Sequence, residues 1–392
     1  MFNKTIIKWF KDNREILTFV LVSFFAWRAL IQVFLQLGHF FLSLREGFLG
    51  GGLDNYLASP GIWAWANFDG QHYLGIAFRG YGHLQQAFFP LFPWLIKTLA
   101  SPFSQSQFSY LLSGLTISHI SIFISLFILY ALVRLDYDEK VARLTTLFLL
   151  IFPTSFFFAA FYTESLFLAL VLGTFYTARI KKWWLAGILG AFASATRVVG
   201  IFLFPAILWE WWEQRKMENG KWKMENLISL IFIFFIPLGL LLYMRSLAIN
   251  YHDSLMFFHV QPAFGAERSA KLILLYQVFW RYAKMIATTK LDPLYFTVWL
   301  ELATAITFLC LLVFSYFKKI RLSYLVFAVL AYITPTLTGT FLSMPRFVLV
   351  LFPCFISMAL IKNRLAKILL FTFYFLLLIV SIIFFTRGYW IA

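Results

Sequence analysis

The chain has 392 residues, of which 61% are hydrophobic and only 13% are charged, and its mean hydropathy is +0.81. This composition excludes an ordinary soluble globular domain. The formal net charge of +16 does not indicate a nucleic-acid partner, because the basic residues form short clusters between apolar runs. That distribution follows the positive-inside rule of membrane proteins.

Apolar runs of membrane length, about 17–25 residues each, recur along the chain. We predict an all-α polytopic membrane protein with about 11 transmembrane helices in a single domain over residues 1–392. The predicted spans are 16–37, 109–133, 141–160, 162–178, 183–199, 201–213, 226–248, 294–317, 322–342, 345–361 and 366–386. The pair 183–199 and 201–213 allows a second interpretation, as half-helices broken around Gly200 and Pro205. The first span shows no small-residue cleavage site, which favours a retained signal anchor over a cleaved signal peptide.

Lysine and arginine placement orients these spans. With the N-terminus in the cytoplasm, six short inside segments hold 20 of the 33 basic residues. These segments are 1–15, 134–143, 179–182, 213–226, 318–321 and 362–367. A further span at 87–101 would place 179–182 outside, so we predict that 87–101 is interfacial or re-entrant. Segments 38–108 and 249–293 then form two long outer loops, and the C-terminus lies outside.

The first outer loop carries the most informative polar cluster, the segment 68–73 (Phe-Asp-Gly-Gln-His-Tyr), followed by Gly80-Tyr81 and by 87–93 (Ala-Phe-Phe-Pro-Leu-Phe-Pro). If the first segment is helical, Asp69, His72 and Tyr73 share one face. A carboxylate, an imidazole and a phenol gathered at a membrane surface are suited to acid–base or sugar chemistry, and Asp69 is placed to accept a proton from a hydroxyl. The alternative is an ordinary solvated loop carboxylate.

Glu164 lies between two apolar runs, in the segment 161–165 (Phe-Tyr-Thr-Glu-Ser). A carboxylate so close to hydrocarbon is costly unless it faces a polar cavity, so Glu164 is a second candidate site residue. The alternative is a carboxylate stabilised by the dipole at a helix N-terminus, with Thr163 as the cap.

Arg197 and Arg346 are predicted at the outer ends of spans, against the positive-inside trend. Guanidinium groups bind phosphate through charge-assisted, bidentate hydrogen bonds, so the two arginines suggest a phosphate-bearing partner. The alternative is that both side chains extend to the interface without a ligand.

Cofactor signals are weak throughout. No Walker loop, Rossmann glycine pattern or zinc-protease motif is present, so we expect no cofactor, and a divalent metal is possible but not indicated. Cys310 and Cys354 fall inside apolar runs and are interpreted as packed residues.

The segments 68–73, 80–81 and 88–93 together resemble the first-loop signature of PIG-V-like mannosyltransferases. Segments 153–157 and 162–167 are similar to a second signature of that family, and 195–200 and 345–353 are similar to two weaker ones. Phe68 stands where the family pattern has tryptophan, and 83–86 (His-Leu-Gln-Gln) stands where an acidic residue is usual. The resemblance implies a GT-C-type fold and a glycosyltransferase that uses a polyprenyl-phosphate sugar on the non-cytoplasmic face, with an acidic first-loop residue, here Asp69, central to catalysis.

We therefore expect an inverting mannosyltransferase or related hexosyltransferase in which Asp69 is the base. Arg197 or Arg346 is expected to hold the lipid phosphate, and the other substrate-binding candidates are His72, Tyr73, Tyr81, Tyr162 and Glu164. The partners implied are the polyprenyl-phosphate donor, a glycolipid or glycan acceptor and membrane lipids, in the plasma membrane of a prokaryote or the endoplasmic reticulum of a eukaryote. The alternatives are a transporter or flippase of a lipid-linked saccharide and a structural membrane subunit.

Overall fold

The computed structural model describes residues 14–217, 224–264 and 273–391, and these ranges contain helices and no strands. The helices are α1 Arg14–Phe41, α2 Leu53–Ala58, α3 Pro60–Trp63, α4 Asp69–Arg79, α5 Leu91–Ala100, α6 Gln107–Arg134, α7 Glu139–Ile151, α8 Glu164–Arg179, α9 Trp183–Thr196, α10 Leu203–Met217, α11 Met224–Ile233, α12 Leu238–Tyr251, α13 Met256–His259, α14 Leu275–Thr288, α15 Pro293–Phe317, α16 Leu322–Thr336, α17 Met344–Phe347, α18 Phe352–Ala359 and α19 Arg364–Thr386. The all-α prediction is confirmed.

Four of the described helices, α1, α6, α15 and α19, are long and apolar enough to cross a membrane, and α11 with α12 makes a fifth if this pair, bent by 42°, counts as one span. A 28-residue helix is about 42 Å long, which exceeds the hydrocarbon thickness of about 30 Å. The chain is therefore a multi-pass membrane protein. The total of about 11 spans stays a prediction, because the helices in the other predicted spans have only 8 to 16 residues.

Prolines and a glycine explain several of the shorter helices. The predicted span 141–160 is interrupted because α7 ends at Ile151, two residues before Pro153, and 345–361 is split before Pro353, which lies in the first turn of α18. Proline cannot donate the backbone hydrogen bond that a continuing helix needs. The chain also breaks between α9 and α10, where a Cβ on Gly200 would lie 2.5 Å from the backbone of Ala193.

The predicted first outer segment, 38–108, contains the short helices α2 to α5. Helix α5 has ten residues and spans about 15 Å, too short to cross a bilayer alone. The inside segments 1–15 and 213–226 and the second loop 249–293 lie partly outside the described residues, and the orientation of the N-terminus stays a prediction.

Helix α8 lies at the centre of the bundle, packed along α6 and α9 and in contact with α10. Helix α9 also packs on the bend between α11 and α12. A Cβ on Gly187 would lie 2.0 Å from the carbonyl oxygen of Phe232, and one on Gly239 would lie 2.0 Å from that of Ala191. Only glycine allows so close a backbone approach at these two positions.

Ion pairs hold the C-terminal end of α8 in place. Arg179 binds both carboxylate oxygens of Asp136, at 2.6 and 2.7 Å. Arg321 binds both oxygens of the fully buried Glu210, at 2.6 and 2.8 Å, and Ser323 donates to the same carboxylate at 2.7 Å. The basic residues that predict the inside face therefore also join α8, α10 and α16.

Topology is testable by cysteine labelling in intact cells. In a background where Cys310 and Cys354 are replaced by alanine, we expect Ser104→Cys to react with a membrane-impermeant maleimide, because Ser104 is exposed in the predicted outer loop. Lys181→Cys, in a predicted inside segment, is expected to react only after permeabilisation. The reverse pattern would show that the charge-based orientation is wrong.

Candidate active site

Helix α4 brings Asp69 to the site through an unusual turn. The preceding residue, Phe68, has φ 56° and ψ −118°, a region that costs a non-glycine residue about 1–3 kcal/mol. Its ring is held by Phe48, Phe385 and Trp390, with centroid distances of 5.9, 5.7 and 5.1 Å. This packing stabilises the strained backbone and fixes where α4 begins.

Asn67 supports the same turn and is fully buried. Its side-chain oxygen accepts from Gly50 N at 2.8 Å, its amide donates to the carbonyl of Phe385 at 2.9 Å, and its own carbonyl accepts from the Tyr162 hydroxyl at 2.7 Å. Asn67 was not among the predicted site residues. The available signal is its position: an amide side chain directly before the polar cluster 68–73 and downstream of the glycine run 50–52.

Four ionisable side chains from distant segments form an alternating chain of charge. Arg346 Nη1 binds Asp69 Oδ2 at 2.6 Å, and Arg197 Nη1 binds Glu164 Oε1 at 2.6 Å. Arg346 Nε lies 3.4 Å from the same Glu164 oxygen, so the order is Asp69, Arg346, Glu164, Arg197. We call these residues the charge chain.

The charge chain is largely shielded from solvent. Arg346 is 8% exposed and Glu164 is 5% exposed. Aromatic rings add to the shielding of the cations, since Arg346 lies over Tyr162 at 5.4 Å and Arg197 over Phe347 at 5.1 Å. Among the described residues, Arg346 Nε and Glu164 Oε2 have no hydrogen-bond partner.

The charge chain lines a cavity of about 580 Å³. His72 and Tyr73 line it as well, so six of the eight predicted site residues share one cavity. Its walls are otherwise mainly apolar, with contributions from Phe48, Phe167, Val198, Phe257, Leu342, Val350 and Trp390. Such an arrangement suits a ligand with an anionic or hydroxylated head and an apolar tail.

The two remaining predicted residues lie outside the lining and act as supports. The hydroxyl of Tyr81 donates to the carbonyl of Phe88 at 2.7 Å, and its ring stacks on Tyr243. The hydroxyl of Tyr162 binds the carbonyl of Asn67, and its ring lies beneath Arg346.

Burial shifts the pKa values of His72 and Tyr73, the two titratable groups that follow Asp69 in α4. His72 stacks on Phe88 with a centroid distance of 4.9 Å; burial lowers the pKa of its imidazole, and Asp69 partly opposes this effect. Burial, together with the negative charge of Glu164, raises the pKa of the Tyr73 phenol. At neutral pH, His72 is therefore uncharged and Tyr73 keeps its proton as a hydrogen-bond donor.

Comparison with known proteins identifies the family. The family model described as "Mannosyltransferase (PIG-V)" matches residues 5–210, slightly more than half of the chain. The chain belongs to the PIG-V mannosyltransferase family. The matched range includes Asp69, His72, Tyr73, Glu164 and Arg197, whereas Arg346 lies beyond it. This is a family of glycosyltransferases.

A solved structure is also similar to this family member. It is the oligosaccharyltransferase of Archaeoglobus fulgidus tethered to an acceptor peptide, with 12% identity and a TM-score of 0.46. The alignment covers 97% of this chain and 56% of that chain, so the present chain spans little more than half of that protein. No curated protein matches the sequence. The described residues contain no group of three histidine, cysteine or acidic side chains suited to a metal ion.

The lowered pKa of His72 predicts a pH dependence of stability. Because the folded pKa lies below the unfolded one, the unfolded state binds more protons below about pH 7, and the free energy of unfolding falls as the pH falls. His72→Phe keeps the stack on Phe88 but cannot titrate. We expect the variant to lose less thermal stability than wild type between about pH 7 and pH 5.

His83→Phe is the matched control, because His83 is an exposed imidazole in the same outer segment. Melting temperatures of the three proteins across the same pH range test the assignment. Equal slopes for wild type and His72→Phe would contradict it.

Proposed function

We propose that the protein transfers mannose, or a related hexose, from a polyprenyl-phosphate sugar to a glycan or lipid-linked acceptor at the non-cytoplasmic face, with inversion at the anomeric carbon. The observation that carries this proposal is the contact between Asp69 and Arg346 in one apolar-walled cavity. In the proposed roles, this contact brings the proton acceptor next to the phosphate-binding group. Family membership does not favour the transporter alternative.

Asp69 is the general base in this mechanism. Its carboxylate takes the proton from the acceptor hydroxyl while that oxygen forms a bond to the anomeric carbon. The bond between the anomeric carbon and the phosphate oxygen breaks, and the polyprenyl phosphate leaves with the bonding electrons. Negative charge grows on the leaving phosphate, where a guanidinium group stabilises it.

Arg346 links donor binding to the availability of the base. Its Nη1 donates to Asp69 Oδ2 at 2.6 Å, so the proposed base and the proposed phosphate-binding group share a hydrogen bond. A donor phosphate that takes over Arg346 releases Asp69 for the acceptor hydroxyl. The donor is therefore expected to bind before the acceptor, because it favours the state in which the ion pair is open.

The other lining residues bind the transferred sugar. Glu164 lines the cavity, and a carboxylate can accept a hydrogen bond from a sugar hydroxyl. The protonated phenol of Tyr73 can donate one, and neutral His72 can do either, depending on its tautomer. The polyprenyl chain lies along apolar wall residues such as Val198, Leu342 and Val350. Because a lipid-linked donor carries an already activated sugar, the reaction needs no nucleotide site.

Asp69→Asn tests both the role of Asp69 as general base and its ion pair with Arg346. The substitution keeps the size of the side chain but removes the proton acceptor, and loss of a general base lowers rates about 10²–10⁴-fold. We expect turnover with polyprenyl-phosphate-mannose to fall by such a factor. Binding of polyprenyl phosphate should be retained or tightened, because Arg346 loses a competing carboxylate. Turnover close to wild type would remove Asp69 from the mechanism.

Arg197→Lys and Arg346→Lys test the phosphate contact. Lysine keeps the charge but loses the planar fork that binds two phosphate oxygens. We expect at least one variant, with Arg346 favoured because it contacts Asp69, to show weaker donor saturation. Arg364→Lys, at a predicted inside segment, is the control. Wild-type donor saturation and turnover in both site variants would contradict the phosphate assignment.

A further inference from the structure

A buried carboxylate with no part in the proposed reaction contacts the segment that carries Arg346. Glu301, in α15, is 2% exposed and does not line the cavity. Its Oε1 accepts from the backbone N–H of Ser343 at 3.3 Å, and its Oε2 accepts from the hydroxyl of Tyr282 at 2.5 Å. Glu301 thus joins Tyr282 to Ser343, which lies 61 residues further along the chain.

Ser343 sets the direction of the segment that carries Arg346. Its backbone has the left-handed conformation, with φ 66°, which residues other than glycine rarely adopt. The carbonyl of Ser343 accepts from the N–H groups of Arg346 and Phe347, each at 3.0 Å. The hydrogen bond from Ser343 N–H to Glu301 therefore holds the residue from which the short helix α17 starts.

Helix α14 fixes the same turn from the other side. The Tyr282 hydroxyl lies 3.3 Å from Thr340 Oγ1, and Arg281 donates to the carbonyl of Gly339 at 3.1 Å. The ring of Phe341 packs against Tyr282 with a centroid distance of 4.9 Å. Thr154 also donates to the carbonyl of Pro345 at 2.5 Å. The turn 339–343 is thus held by α14 and by Glu301. Through Glu301, α15 is bonded both to Ser343 in the turn and to Tyr282 in α14.

We propose that Glu301 is a positioning residue that aims the Arg346 guanidinium at the donor phosphate; this inference rests on the proposed function. Two donors, Ser343 N–H and Tyr282 O–H, point at two separate oxygens. A carboxylate accepts from both donors as a charged group. A glutamine presents an NH₂ group to one of them, so the Tyr282 hydroxyl has to accept there and donate to Thr340 instead. Glu301→Gln therefore keeps the volume of the side chain but replaces a charge-assisted anchor of the turn with a weaker, neutral one.

The test is binding of polyprenyl phosphate to the full-length protein in detergent. We expect Glu301→Gln to weaken this binding about tenfold, which is the difference between a hydrogen bond to a charged group and one to a neutral group, and Tyr282→Phe to weaken it less. If Glu301 acts through Arg346, then adding Glu301→Gln to Arg346→Ala should cause little further loss, because residues that act as a unit are not additive. A purely structural role would not produce this pattern.

Glu210→Gln is the matched control. Glu210 is a fully buried glutamate bound to Arg321, near the end of α8 opposite to Glu164. We expect this variant to lower the melting temperature but to leave the dissociation constant of polyprenyl phosphate unchanged. An equal loss of binding in Glu210→Gln and Glu301→Gln would show that general destabilisation explains both.

Three results would overturn the inference. These are wild-type affinity in Glu301→Gln, full additivity with Arg346→Ala, and the equal loss in the Glu210 control. If Glu301→Gln does not fold, Tyr282→Phe alone and combined with Arg346→Ala carries the same comparison. A wild-type protein that does not bind polyprenyl phosphate overturns the proposed function as well, whereas normal wild-type binding with an unaffected Glu301→Gln overturns the positioning role alone.

Discussion

The alternation of sign along Asp69, Arg346, Glu164 and Arg197 is the constraint on which the site depends. An unpaired ionised group among apolar walls costs several kcal/mol, so these four groups are stable only when each cation contacts a carboxylate. They come from the start of α4, the start of α8, the end of α9 and the short helix α17. Pairing of these charges therefore requires four segments that are distant in sequence to lie close together. The cavity is lined by the four paired side chains.

Helix α8 carries this constraint to the other end of the bundle. It begins with Glu164 and ends with Arg179, about 24 Å away for sixteen residues. Arg179 is bound to Asp136 and lies 3.6 Å from Glu210. Both ends of the helix are thus held by ion pairs, and the bundle cannot slide along α8 without breaking one set.

Periodicity and charge distribution anticipated part of this arrangement. The spacing of Asp69, His72 and Tyr73 correctly indicated a helix with a shared face, because that relation is local. The predicted orientation put Glu164, Arg197 and Arg346 at the outer side of the membrane. In the structure, all three line one cavity. The partners themselves were not predictable, since Asp69 and Arg346 are 277 residues apart and topology does not specify which cation meets which anion.

The supporting residues were less accessible to sequence reasoning. Asn67, Ser343 and Glu301 act through backbone groups, and a backbone hydrogen bond leaves no pattern in side-chain identity. Tyr81 and Tyr162 belong to the right segments, but their hydroxyls bind backbone carbonyls rather than face the cavity. A motif identifies which residues cluster in sequence, whereas the direction of each side chain depends on packing that the motif does not record.

Charge conservation gives a physical reason for the pairing of a base with a phosphate-binding arginine in the proposed reaction. The two arginines and two carboxylates of the charge chain sum to zero, so a sugar phosphodiester donor brings the site to a charge of −1. Cleavage turns the diester into a monoester, which carries up to one further negative charge. Asp69 becomes neutral in the same step, because it takes the proton of the acceptor hydroxyl. The total therefore stays near −1 while the negative charge moves from the carboxylate to the phosphate. In a low-dielectric cavity, where a net change of charge is costly, moving the charge from one partner of Arg346 to another is the less costly path.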